Sequence, residues 1–231
     1  MNIKLHKSDE RGRANIDWLQ SRFSFSFSDY YDPTKMGFGA LRVLNDDIIS
    51  AGQGFGMHPH QNMEIISIVL DGALEHKDSI GSGGVIKPGE IQVMSAGSGI
   101  THSEFNHSQE KSVSLLQLWI QTKEQNITPR YEQKMFDFKQ NTLVPVASGI
   151  DKTALYIHQD ATISVGNFDA DNKQTISLDK NQGVYIFVIS GELSVDENIL
   201  AKRDAIAVSG CDQVTFKTTK ASHVLCIVVP L

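Results

Sequence analysis

The chain reads as an all-β fold of two tandem barrels with a few short helices, and three observations predict it. Apolar residues alternate with polar ones over short runs, the two-residue period of half-buried strands. Glycine and proline turn signals separate those runs at close intervals, as sandwiches and barrels require. The whole pattern then recurs after about 110–120 residues, the mark of an internal repeat.

The elements follow in order. Phe23, Phe25 and Phe27 alternate with Ser24, Ser26 and Ser28, which predicts a strand. Leu41-Arg42-Val43-Leu44 predicts another. Residues 65–70 form an apolar run that ends at the turn signal Asp71-Gly72, and residues 73–78 return as its partner. Gly81-Ser82-Gly83-Gly84 turns the chain again, Pro88-Gly89-Glu90 precedes the strand at 91–94, and residues 113–120 form a further apolar strand. Short helices are expected at 16–19 and near 131–138. In the repeat, residues 65–75 match 185–195, residues 86–91 match 201–206, and residues 115–120 match 223–228. Residues 121–130 are polar, with Asn126 and Pro129, and serve as the expected linker. The expected domains are therefore 1–130, a metal-binding barrel, and 131–231, a barrel without a metal site.

A chain of 231 residues is long enough to bury a substantial core. With 21 basic and 27 acidic residues, its net charge of −6 lacks the clustered Lys and Arg that a direct nucleic-acid partner demands. It also argues against an anionic membrane surface. The N-terminus has no apolar signal region and no run has bilayer length, so a cytoplasmic protein is expected. Cys211 and Cys226 lie in no C-x-x-C pattern and are expected to be reduced thiols.

The residues that carry chemistry are His58, His60, His102 and Glu104. They stand in His58-Pro59-His60 and His102-Ser103-Glu104, with glycines around both phrases. Residues i and i+2 of a strand share a face, so each phrase aims two donors at one point. Gly52, His58, His60 and Glu64 fit the first cupin motif, although the glycine that should follow, Gly72, comes one residue late. Gly99, His102 and Asn106 fit the end of the second, with Gly97 where that motif carries proline. Cupins are jelly-roll-like barrels, so the two copies would form a bicupin. The second copy has Lys180-Asn181-Gln182-Gly183 where its His-x-His should stand, so one metal is expected, in the first half. His6, His76, His107, His158 and His223 have no partner at ligand spacing and are taken as background. Phe38, Phe55, Met57, Met63 and Phe105 could line an aromatic pocket, though barrel core is the expectation for most.

Longer phrases resemble those of the pirin family. These are Phe25-Ser26-Phe27-Ser28-Asp29-Tyr30-Tyr31-Asp32-Pro33, residues 37–45, His58-Pro59-His60-Gln61-Asn62-Met63-Glu64 and residues 95–104. The resemblance covers the first barrel and, more loosely, the second. It is strongest to the bacterial pirin-like proteins described as quercetin 2,3-dioxygenases; Ser21-Arg22 departs from the His-Thr that relatives often carry. Glu64 and Glu104 both have inward parity if their strands are regular, so periodicity leaves the carboxylate open. The resemblance implies Glu104, as metal ligand and as general base. Iron(II) is the expected ion, and copper, nickel, manganese, cobalt or zinc accept the same donors. The implied reaction is opening of the heterocyclic ring of a flavonol such as quercetin by O2, with release of carbon monoxide. The resemblance also implies an alternative, ranked second: an iron-containing regulatory or redox-sensing protein that binds a protein partner. A monomer is expected.

Overall fold

The computed structural model describes residues 1–231. It is almost entirely β, with one short 3-10 turn at Ser8–Glu10, and no helix is long and apolar enough to cross a membrane. Each half pairs a seven-stranded sheet with a four-stranded one. In the first barrel the large sheet runs Arg130–Met135, Glu90–Ser95, Met63–Asp71, Val113–Gln121, Leu41–Ile49, Leu19–Phe23, Gly12–Ile16. Its small sheet runs Gly54–His60, Ile100–Asn106, Leu74–Asp78, Gly83–Ile86. In the second barrel the large sheet runs Asn2–His6, Ala205–Ser209, Gln182–Ser190, Ser222–Pro230, Thr162–Phe168, Val144–Ser148, Leu155–Tyr156. Its small sheet runs Lys173–Ser177, Gln213–Thr218, Glu192–Val195, Asn198–Ala201.

The largest core, 27 buried residues, lies where the two large sheets face each other. Strand parity explains it. Along Met63–Asp71, Ile66 and Ile68 point into this shared core, whereas Ile65 and Val69 point into the first barrel. Along Val113–Gln121, Leu116, Leu118 and Ile120 face the shared core and Leu115 the barrel interior. Both faces of these strands are buried, so they read as unbroken apolar runs.

Three expectations are corrected. The helix at 16–19 is a hairpin turn: Gly12–Ile16 pairs with Leu19–Phe23, Ile16 opposite Leu19. The helix at 131–138 is the strand Arg130–Met135, held in register by Glu90–Ser95. Cross-strand hydrogen bonding to a waiting sheet edge overrides weak local helix preference there. The strand at 23–28 stops at Phe23; Phe25 is buried, but Ser24 and Ser26 are buried beside it, and the alternation fails. The expected boundary at 130/131 falls at the start of that edge strand, which belongs to the first barrel's sheet. Conversely, Asn2–His6 closes the second barrel's sheet against Ala205–Ser209. The first barrel's large sheet is thus closed by the strand that follows its apolar strands in sequence, and the second's by a strand that precedes the first barrel, which leaves fewer unpaired edge groups. Cys211 and Cys226 are both free.

Candidate metal centre

Two adjacent antiparallel strands build the site. His58 and His60 lie on Gly54–His60, and His102 and Glu104 on Ile100–Asn106, with His102 directly opposite His58. The turn before His102 is tight. Gly97 has φ +48, and a side chain there would meet the Ile127 carbonyl, which accounts for glycine in place of proline. The ladder slips between His102 and Glu104, so a bulge sits at the site itself.

The three imidazoles converge. Ring centroids are 4.4 Å apart for His58–His102, and 4.8 Å for both His58–His60 and His60–His102. Their donor atoms lie within 4.8 Å of one another. His58 Nδ1 donates to the Gly56 carbonyl at 2.7 Å, which fixes the tautomer and leaves Nε2 a free lone pair. His102 Nε2 is fully buried and has no hydrogen-bond partner. A buried polar atom without a partner is rare and calls for a ligand. Burial and the neighbouring His58 push the His60 pKa down to about 4; burial and three neighbouring histidines push His102 further below the usual imidazole range. Both rings therefore stay neutral at physiological pH, the form that binds a metal.

Glu104 is buried beneath them and held from two sides. Gln117 Nε2 donates to Oε2 at 2.6 Å, and the Ser67 hydroxyl donates to Oε1 at 3.2 Å. The orientation of Gln117 is set in turn by Trp119, whose Nε1 donates to Gln117 Oε1 at 3.2 Å. Trp119 also packs edge-on against His60, centroids 4.8 Å apart.

Glu104 does not join the three histidines in one tight group. It belongs to a second, inner group, His76, His102 and Glu104, all buried and again within 4.8 Å. His102 is common to both. His76, taken as background, is thus part of the site: it sits opposite Glu104 in the ladder, and its Nδ1 is 3.4 Å from His102 Nδ1. Its Nε2 meets Asp78 Oδ2 at 3.2 Å, and its face stacks on Tyr131 at 4.6 Å. The expectation that Glu64 points inward is corrected. Glu64 shares the parity of Ile66 and Ile68, and its Oε2 accepts from Ser95 Oγ at 2.8 Å on the side facing the second barrel. Burial there raises its pKa to about 7. His107 is exposed and pairs with Glu75.

Of the apolar candidates, Phe55 lies beside the site, 6.3 Å from His58. Phe38 packs on Tyr185 between the barrels, Met63 packs in the barrel wall, and Met57 and Phe105 are exposed. A depression of about 480 Å³ opens against His60, bordered by Pro59, Gln61, Ser79 and Ser98. Sequence reasoning missed Gln117 and Trp119. The available signal was a polar residue, Gln117, at an inward position of an otherwise apolar strand.

A donor set of this kind suits a first-row transition metal: neutral nitrogens, one buried carboxylate, and a fixed outer shell. The Pirin family model matches residues 5–120, and the model of the quercetinase C-terminal cupin domain matches residues 146–229. A curated relative from Escherichia coli K12, quercetin 2,3-dioxygenase, is 41% identical over 228 residues, 99% of each chain. The crystal structure of YhhW from Escherichia coli superposes with a TM-score of 0.96 at 41% identity, covering 99% of this chain and 98% of its own. That of bacterial pirin YhhW in complex with nickel(II) gives 0.95 at 40% identity, covering 99% of each. A match of this extent, carried along both barrels, places the chain in the pirin family.

Proposed function

We propose that His58, His60 and His102 hold one divalent transition metal, that Glu104, grouped with His102 beneath them, completes the ligand set, and that the protein is a dioxygenase acting on a flavonol such as quercetin. The observation that carries this reading is the buried, unpartnered Nε2 of His102 amid two further imidazoles, in a chain 41% identical to a protein named quercetin 2,3-dioxygenase. A metal held there would supply Lewis acidity toward the flavonol 3-hydroxyl. Iron(II) is our first assignment. The nickel(II) complex of the E. coli pirin makes nickel the ion to compare with it.

Glu104 takes the 3-hydroxyl proton as general base. Gln117 and Ser67 keep its two oxygens in acceptor positions, so the carboxylate is oriented before substrate arrives. His58 and His60 form the open side of the site, since they are half-buried while His102 and Glu104 are sealed. The flavonolate and O2 then give ring opening with loss of one carbon as carbon monoxide.

The test is direct. Protein loaded with each metal in turn is given quercetin and O2, and loss of the flavonol absorbance and release of carbon monoxide are followed. His58→Ala and Glu104→Gln are expected to lower turnover by at least about a hundredfold. Unchanged turnover in both would remove this site from the chemistry. A regulatory, partner-binding role is the second reading. What favours it is that Met57 and Phe105, on the strands that carry the ligands, are 58% and 39% exposed. Partner capture that depends on metal, with no quercetin loss under any ion, would select it. We take the protein as a cytoplasmic monomer, which size-exclusion chromatography and fractionation check.

A further inference from the structure

Where the two barrels meet, the surface is chemically unlike the rest of a chain whose net charge is −6. Two cavities of about 370 and 260 Å³ adjoin there and share Arg22, Asp46, Lys202 and Arg203. Arg11 and Arg13 extend the basic wall of the larger, and Asp9 and Asp46 are the carboxylates that line the pair. Five cationic side chains thus face two acids. Arg22 comes from the strand Leu19–Phe23 of the first barrel, and Lys202 and Arg203 from the turn after Asn198–Ala201 of the second.

Asp46 is already engaged. Its Oδ2 lies 3.1 Å from Arg203 Nε and 3.6 Å from Arg11 Nη1. That single carboxylate leaves both guanidiniums short of partners. Arg11 is 5% exposed, and its Nη2 donates to Ser24 Oγ at 3.1 Å and to the Arg22 and Leu44 carbonyls at 3.3 and 3.4 Å, but its Nε and Nη1 make no hydrogen bond. Arg203 Nη1 is likewise buried and unpaired. Arg203 holds φ +70 inside the turn closed by the Asp204 amide donating to the Ala201 carbonyl at 3.0 Å. If the cluster served only to pin the barrels together, the excess of positive charge would be a cost without a return. Confined within a cleft, it focuses a field that attracts anions.

We propose that this cleft binds a small polyanion carrying phosphate or carboxylate groups, held by Arg13, Arg22, Lys202 and Arg203 across the junction of the two barrels. The planar, multiply donating guanidinium suits both groups. Because the binding residues come from both barrels, occupancy ties them together and raises thermal stability.

Isothermal titration of the full chain at low salt, with pyrophosphate and citrate as separate probes, tests it. The expected result is one site per chain, with at least one probe binding at sub-millimolar concentration and raising the melting temperature. Arg22→Gln and Lys202→Gln are each expected to weaken binding about tenfold. Arg22 is half-buried and Lys202 exposed, and the melting curve of each free variant confirms folding. Pyrophosphate alone binding assigns a phosphate ligand, citrate alone a carboxylate, and both the shared oxyanion chemistry. No binding of either probe at millimolar concentration, or binding that both variants leave unchanged, overturns the proposal.

Discussion

The two barrels are copies with opposite interiors. Gly72 and Gly191 turn the chain at matching points, with φ of +82 and +88, and align the ladders one residue away from the repeat read in the sequence, because Ile186 and Cys226, not Phe187 and Leu225, face the second barrel's interior. Where the first barrel pairs Ser67 with Gln117, the second pairs Ile186 with Cys226. Glu104 opposite His76 becomes Phe216 opposite Val195. His102 opposite His58 becomes Val214 opposite Ile176. Those replacements belong to a core of 15 buried apolar residues that fills the second barrel. The first barrel's interior instead leaves Asn45 Oδ1, both amide atoms of Gln92, and His102 Nε2 without partners. The ladder between the first barrel's ligand strands slips, whereas its counterpart between Lys173–Ser177 and Gln213–Thr218 is regular. The lesson is that this barrel folds on apolar packing alone. The polar interior of the first is spent on binding, at a cost in stability.

The sharpest test of that contrast is at His102, the one imidazole common to both groups of the first barrel. In His102→Ala, metal affinity is expected to fall about a thousandfold. The metal-free melting temperature should fall only modestly, because removal of an unpartnered buried nitrogen offsets part of the cost of the cavity and of the lost His76 contact. Competition with a chromophoric chelator measures the first and calorimetry the second. A variant that still bound metal at wild-type affinity would sink the site. The converse test carries the ligand into the other barrel. Phe216→Glu places a carboxylate where no donor awaits it, and is expected to cost about 4 kcal/mol in urea denaturation. A loss under about 1 kcal/mol would mean a wet interior and would end the comparison.

Much of this was legible in the sequence, for a physical reason. The two-residue period made strands visible, and His58, His60 and His102 could be placed on one locus because parity on a strand needs only counting. The inner group was harder to see. His76 reaches the site only through the pairing of Leu74–Asp78 with Ile100–Asn106, a contact between distant segments that no local pattern encodes. Glu64 failed for the same reason. Parity alone does not place it, because which face of a doubly buried strand is inward depends on the second barrel. The edge strand Arg130–Met135 passed for a helix because its partner, Glu90–Ser95, lies some forty residues away.

Glu64 supplies the next smaller effect and tests the interface between the barrels. Its folded-state pKa is raised from 4.5 to about 7 by burial, so between those values the folded chain holds a proton that the unfolded chain has lost. Stability from this group is therefore fully present below about pH 4.5 and lost as pH rises through about 7. In Glu64→Gln the loss should vanish, leaving the variant more stable at pH 8 by about 3 kcal/mol and nearly equal at pH 5. His60 and His102, whose pKa values are lowered, act in the opposite direction, gaining stability as pH rises toward neutrality, from about 4 for His60 and from further below for His102. Only the difference between wild type and variant isolates the glutamate. Denaturation curves that run parallel from pH 5 to pH 8 would show that Glu64 is charged and solvated.

The smallest expected effect sits at Gln117, the position that Cys226 occupies in the second barrel. Gln117 links Trp119 to Glu104 and holds the carboxylate by its shortest hydrogen bond, 2.6 Å to Oε2. Gln117→Leu would make this position apolar, as its counterpart is. Folding stability should move by no more than about 1 kcal/mol, since lost hydrogen bonds are offset by apolar burial. Metal affinity should fall tenfold to about a hundredfold, the usual consequence of removing an outer partner that orients a ligand. The two readouts separate the explanations: if Gln117 only packs the barrel, both move together or neither moves. If it positions Glu104, affinity falls while the melting curve stays in place, and Gln117→Glu, which sets a second carboxylate against the first, weakens metal binding at least as much as leucine does.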